Sequence, residues 1–519
     1  MLGSRDPLAR KHPIEAWRHA SPAPADHTER RLAALLHEIE KRPTAPIELP
    51  VASIRESDHS LRAYILTDAL ALIVSFLCAW GVATAVNLLF FGRHDLVAAR
   101  EWTLPAVQSA LLGASMLVWF GHSGHYQLRM PFWTEAKKVA EAAGMAFLID
   151  CFLQVVSKQD HSRLWVIAGW GFSIVAILAL RGAWRAFLRS RGLWNVPTLI
   201  VGDGPTAEDV RMALDAEPGL GYDVVAKAAD ELPGFNGVDG YSWAALCRAH
   251  GARHVIVALD GEAFAEARAS LRQLMRERIP FSVAPSLHGL SVSGLMPQSF
   301  LGHDVMLMAR NGGLDRPLSR FLKRGFDSTT SAAALIVLSP LIAILALIVR
   351  CDGGPALYRH RRIGLNGKRF TCLKFRSMVM DADAVLHAHL EADPAAREEW
   401  HHDHKLRDDP RVTRMGRFLR HTSLDELPQL FNVLRGDMSI VGPRPIIVAE
   451  AARYDHDIAF YYRVRPGITG LWQVSGRNDV SYAERVRMDS WYVRNWSLWN
   501  DIAIVCKTFA AVMRQDGAY

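Results

Sequence analysis

Two adjacent carboxylates, Asp425 and Glu426, open the stretch SLDELPQLFNVLRGDMSIVGPRP. Pro428 suits a first helical position, where its missing N–H does no harm. Gln429 to Arg435 carries apolar residues at helical spacing, and Gly436 stops it. The spacing predicts a short helix with the carboxylates at or just before its N-terminus. The partial positive charge there keeps an acid ionised and can hold a phosphate. An ionised Asp beside a phosphate can coordinate a divalent cation or attack phosphorus. The plainer reading is a capping box, Ser423 with Glu426 three residues on. Pro428, inside that first turn, counts against it.

Cations lie on both sides of this stretch. In KFRSM, Lys374 and Arg376 alternate with Phe375 and share a face if the segment is a strand. Two cations on one face suit a diphosphate. Gly442-Pro443-Arg444-Pro445 is a rigid turn that aims Arg444 at a phosphate with little loss of entropy. RPGITGLWQVSGR adds Arg465 and Arg477 on a glycine-rich loop, with Trp472 suited to base stacking or to core packing. His387, His389, His401, His402 and His404 are interspersed with acids and bases, which fits a solvated surface better than a metal site.

Together, LDELPQLFNVLRGDMSIVGPRP, KFRSM and RPGITGLWQVSGR resemble the signature of bacterial polyprenyl-phosphate sugar-1-phosphate transferases. These are phosphoglycosyl transferases with a monotopic catalytic core. The resemblance covers roughly Ser319 to Tyr519. With four N-terminal apolar runs, a middle domain and the ending DGAY, the whole chain is most similar to the undecaprenyl-phosphate galactose phosphotransferases. The resemblance implies transfer of galactose 1-phosphate from UDP-galactose to undecaprenyl phosphate with release of UMP, at the start of O-antigen or exopolysaccharide synthesis. It implies that Asp425 attacks phosphorus, with Mg²⁺ at Asp425 and Glu426, and that Lys374, Arg376, Arg444, Arg465 and Arg477 stabilise phosphate charge. It also implies a homodimer. The same reaction with UDP-glucose is the nearest alternative. A membrane-bound NAD-dependent sugar-nucleotide dehydratase is less favoured, since the chain has no Tyr-x-x-x-Lys. A non-catalytic sensor or scaffold is the third reading.

The elements that must position these residues follow from apolar patterning. The chain has 519 residues, half of them hydrophobic, and a net charge of +7. It has no RNA-binding or zinc-finger signature, so the basic balance fits an anionic membrane or phosphate substrates and not nucleic acid. Six scattered cysteines without CxxC pairs fit a reducing compartment. Four apolar runs, about Tyr64–Phe91, Leu104–Phe120, Val139–Val156 and Leu164–Leu180, approach the ~20 residues a bilayer crossing needs. Arg129, Lys137 and Lys138 after the second run, and Arg181, Arg185, Arg189 and Arg191 after the fourth, put those flanks in the cytoplasm. The expected location is the bacterial inner membrane, multi-pass, with the catalytic domain facing the cytoplasm.

The fold expected is a membrane protein, α plus α/β: four transmembrane helices, a Rossmann-like α/β domain, and a catalytic domain with a re-entrant membrane helix. Residues 1–60 are expected to be a flexible tail, 61–190 the transmembrane region, 191–315 the α/β domain and 316–519 the catalytic domain. Within 191–315, VPTLIVGDGPTAEDVRMAL predicts strand, glycine turn and helix. Gly202 and Gly204 alone are weak support for a nucleotide, and a structural or regulatory module is favoured. A fifth apolar run, Ser331 to Val349, has Ser339-Pro340 at its middle and basic residues on both flanks. Flanks that stay on one side require a helix, about 322–350, that enters and returns at this break.

Overall fold

The structure is a computed structural model. It describes residues 52–91, 103–157, 163–228, 242–287, 316–351, 353–403, 409–475 and 480–514, residue 406, and short stretches within 290–314. Four long helices come first: α1 (Ala52–Phe91), α2 (Thr103–His122), α3 (Phe132–Ser157) and α4 (Arg163–Ser190). Helix α1 begins earlier than the expected tail boundary at residue 60. Its polar opening SIRESDHSLR has no Gly or Pro to stop a helix. The bundle core holds Ala71, Phe120, Val139, Trp165, Trp170 and Ile177. Its outer surface carries exposed Leu66, Leu77, Leu89, Val118, Phe152 and Val155. A bundle with large apolar side chains outward is a membrane bundle.

The bundle interior holds a charged network. Arg181 is buried and donates to both Asp68 oxygens (2.8 and 2.6 Å) and to Glu135 (2.7 Å), while Arg185 also reaches Glu135 (2.5 Å). Asp150 is also buried. It accepts from Gln108 (2.6 Å) and Trp170 (2.8 Å).

The loop between α2 and α3 joins the bundle to the rest of the chain. Arg129 donates to the carbonyls of Trp194 (2.9 Å) and Leu220 (2.6 Å) in the next domain. At the start of α3, the Trp133 carbonyl accepts from the Trp499 indole (2.9 Å) near the C-terminus.

The second unit is a parallel α/β sheet. Strands β1 (Val196–Val201), β2 (Tyr222–Ala228), β3 (His254–Val257) and β4 (Phe281–Val283) lie in the order β2-β1-β3-β4. Strand β1 is buried along its last four residues and leads through Gly202 and Gly204 into α5 (Pro205–Ala216), as the sequence predicts. At that turn the Asp260 carboxylate receives the Thr206 hydroxyl and the Thr206 backbone N–H. An antiparallel hairpin, β5 (Leu295–Ser299) with β6 (Met306–Arg310), follows.

Helix α6 (Pro317–Arg350) then runs unbroken through Pro340. Pro340 has no N–H for the Ile336 carbonyl, and the Ser339 hydroxyl takes that acceptor instead (2.8 Å). Both ends of α6 dock on one domain. Near its start, Lys323 donates to Asp501 (2.8 Å) and to the Val441 carbonyl (2.9 Å), and Asp327 accepts from Ser439 and Ile440. Near its end, Leu345 and Val349 pack with Phe375 and Leu419. The middle is bare: Ile336 and Val337 are 76% and 75% exposed. Among the described residues, α1, α3, α4 and α6 are long and apolar enough to cross a membrane, and α2 has 20 residues.

Candidate active site

The site is built where a hairpin, a turn and a short helix meet at the end of α6. Strands β7 (Leu357–Ile363) and β8 (Arg369–Phe375) pair antiparallel, with Tyr358 opposite Lys374. Helix α7 (Arg414–His421) is capped by the Thr413 hydroxyl, which accepts from Gly416 N–H (2.8 Å). Ser423 then turns the chain with φ of 57°, and Leu424–Glu426 form one 3-10 turn. Helix α8 (Gln429–Arg435) follows, ending at Gly436 with φ of 98°, a conformation glycine adopts freely. The helix bounds match those expected from sequence. Ser423 makes no capping hydrogen bond, so the capping-box reading does not hold there.

Asn432, buried in α8, fixes the spacing of the parts. Its side-chain oxygen accepts from Leu373 N–H (3.0 Å) and its amide donates to the Thr371 carbonyl (2.7 Å). That splice ties the helix behind the carboxylates to the strand that carries Lys374. Lys374 reaches Glu426 at 2.6 Å and Asp425 at 3.6 Å. Asp425 is only 9% exposed, whereas Glu426 is more open. Burial pushes the Asp425 carboxyl up from its usual range. Lys374 opposes this, Glu426 adds to it, and Arg420 opposes it from the end of α7. Lys374 is held charged by Glu426 and Asp425 against its own burial. The constellation is a nearly dehydrated carboxylate beside a fixed cation and a second, solvent-reached carboxylate. A dehydrated carboxylate held by a cation is suited to nucleophilic attack.

The other expected cations divide. Arg444 is exposed on its turn, with its guanidinium 5.8 Å from the Trp472 ring centre. Gly442 sits where backbone crosses backbone: a side chain there would strike Arg465 and Gly467. Arg376 is buried and donates to the Val349 carbonyl (2.8 Å), closing the C-terminus of α6. Strand β8 ends at Phe375, so the shared face expected for Lys374 and Arg376 stops one residue short. Arg465 donates to the Gly436 carbonyl (2.7 Å). It joins Arg324, which donates to the carbonyls of Val433 (2.6 Å) and Leu434 (2.8 Å). These two cations satisfy the end of α8, where helix carbonyls lack partners. Arg477 lies outside the described residues. Trp472 is 5% exposed with Arg485 over its ring at 4.7 Å, so packing is its role and not base stacking.

Sequence reasoning missed two contributors. Arg420 donates to the Ser377 hydroxyl (2.9 Å) and bears on Asp425. Its position in the last turn of a cation-rich amphipathic helix, five residues before Asp425, was the available signal. Asn432 had no signal beyond being a polar residue in an apolar helical run.

The donor set fits Mg²⁺. This ion takes one or two carboxylates together with substrate phosphate oxygens, and Glu426 beside Asp425 offers that pair with one member open. Among the described residues, no group of three or more His, Cys, Asp or Glu residues could hold a metal, so no all-protein cage is present.

Residues 318–515 match the family model for bacterial sugar transferases. Over 483 residues the chain is 39% identical to a UDP-galactose-lipid carrier transferase of Erwinia amylovora, covering 90% of this chain and 100% of that one. It is 41% identical over 459 residues to an undecaprenyl-phosphate galactose phosphotransferase of Salmonella typhimurium, covering 86% and 96%. A UDP-glucose:undecaprenyl-phosphate glucose-1-phosphate transferase of Escherichia coli is 30% identical over 474 residues, covering 86% and 94%.

Proposed function

The chain belongs to the bacterial sugar transferase family, and from that we propose that it moves galactose 1-phosphate from UDP-galactose to undecaprenyl phosphate, releasing UMP. The observation that carries this is the buried Asp425 held by Lys374 beside Glu426, at the end of a membrane helix. Asp425 attacks the sugar-proximal phosphorus. The bond to the UMP oxygen breaks, and UMP leaves with the electron pair. The acceptor's phosphate oxygen then attacks the same phosphorus and frees Asp425. Lys374 and Arg444 stabilise charge on the phosphates, and Glu426 handles the acceptor proton. Mg²⁺, when bound at Asp425 and Glu426, supplies neutralisation of the diphosphate.

Membrane geometry supports the same reading. Helix α6 is continuous through Pro340, but both its ends are seated on one domain while Ile336 and Val337 stand bare between them, which supports a course that enters and returns from one side. The catalytic domain faces the cytoplasm of the bacterial inner membrane, where the soluble donor and the lipid acceptor meet, and the product starts O-antigen or exopolysaccharide synthesis. The chain works as a homodimer. UDP-glucose is the second donor to test, since the chain also resembles a glucose-1-phosphate transferase.

The test is UMP release from purified protein in detergent with Mg²⁺, undecaprenyl phosphate and UDP-galactose, UDP-glucose or UDP-N-acetyl sugars. Release with one donor, abolished in Asp425→Asn, is expected. No release with any donor from folded protein would sink the transferase reading.

A further inference from the structure

Asp489 is 3% exposed on α9 (Tyr482–Arg494), and the proposed reaction gives it no task. It forms no ion pair among the described residues. Its neighbours come from every side. Tyr454, from the 3-10 segment Ala452–Asp457, donates its phenol to Asp489 (2.7 Å). Tyr461 and Tyr482 stand edge-on to Tyr454 at 5.4 and 6.3 Å. Arg485 is one turn earlier on the same helix, with its guanidinium 4.7 Å from the Trp472 ring centre. Arg444 reaches the same ring at 5.8 Å. Ser490, beside Asp489, has a buried hydroxyl without a partner.

Two guanidiniums drawn to one indole repel each other, and a buried negative charge nearby offsets that repulsion. We propose that Asp489 is a positioning residue, whose charge holds Arg444 and Arg485 together over Trp472 and so aims Arg444 at the donor's diphosphate. This rests on the transferase reading above.

Burial pushes the Asp489 carboxyl up to about 7, against the Tyr454 hydrogen bond and the charges of Arg444 and Arg485. Burial raises all three surrounding phenols, so they stay neutral. Asp489 therefore gains its charge close to neutral pH, and the aim of Arg444 improves as it does.

The test is steady-state UMP release with UDP-galactose and UDP-glucose between pH 6 and 8, for wild type, Asp489→Asn and Tyr454→Phe. Asparagine keeps the shape and still accepts from Tyr454 but carries no charge. The expected result is a donor KM raised about tenfold at pH 8 with little change in kcat, the loss of one charge-assisted phosphate contact. The wild-type rise in kcat/KM with pH disappears in this variant, while its melting temperature at pH 8 is no lower than wild type. Tyr454→Phe keeps the carboxyl group but removes a bond that favours its charge, so the rise in kcat/KM remains and moves to higher pH. An Asn variant with wild-type KM and pH profile overturns the inference alone. So does a raised KM that appears only together with a lower melting temperature. No release from wild-type protein with either donor overturns the transferase reading and this inference with it.

Discussion

Arg465→Ala separates two jobs that the sequence allows for one cation. In the structure its Nε donates to the Gly436 carbonyl at 2.7 Å, and Arg324 serves the carbonyls of Val433 and Leu434. Burial and the neighbouring Arg324 charge pull the Arg465 guanidinium down from its ordinary value, so it sits in a crowded, partly dehydrated place. A hydrogen bond from a charged group contributes about 1.5–3 kcal/mol. Arg465 is half-buried, so a loss of about 2 kcal/mol is expected. For a catalytic domain matched over residues 318–515, roughly 2–4 °C per kcal/mol gives a fall of about 4–8 °C in Tm. Melting in detergent, followed by intrinsic tryptophan fluorescence, reads this, and donor KM should stay within about twofold because the cation touches no phosphate. Arg324→Ala removes two bonds and costs more. The double variant costs less than the sum, since both cations serve one helix end. An unchanged melting temperature with a tenfold rise in donor KM would refute the reasoning and return Arg465 to the phosphates.

Three further outcomes follow from the same geometry. Arg181→Met leaves Asp68 and Glu135 buried without their shared cation, a loss of roughly 3–5 kcal/mol, read as a fall in folded protein recovered from membranes. Asp489 has a native value of about 7 against an unfolded value of 3.8, so the native state holds its proton more tightly. Stability is therefore lost as pH rises from about 4 to about 7 and is level above that; between pH 5 and 7.5 the loss is about 2–3 kcal/mol, absent in Asp489→Asn by melting. Pro340→Ala gives the Ile336 carbonyl its backbone donor and removes the residue that favours a bend there. In a cysteine-free background, Arg350→Cys is expected to be labelled from the same side as Arg320→Cys, and from both sides once Pro340 is replaced. Labelling of the two positions from opposite sides with Pro340 intact would overturn the re-entrant course.

Local punctuation made the catalytic helix legible. Pro428 and Gly436 mark its ends by fixed backbone geometry, which acts within a few residues and so is written in sequence order. The membrane runs and the strand–glycine–helix unit were readable for the same reason. The roles of the arginines were not. Arg376 and Arg465 were assigned to phosphates because guanidinium groups suit them, but the acceptors they use are backbone carbonyls brought near only by folding. The partners of Asp150 are hidden in the same way, since Gln108 and Trp170 reach it from other helices. Asn432 was invisible because its partners lie on a strand about 60 residues earlier in the chain.

The turn after β1 has a consequence for what it can bind. Asp260 presents its carboxylate to the Thr206 N–H and hydroxyl, the donors that a nucleotide phosphate would otherwise engage at such a turn. That carboxylate is tethered, so its effective concentration at the turn is at least millimolar and does not vary with the growth of the cell. A phosphorylated metabolite entering here would compete with a ligand that is never diluted.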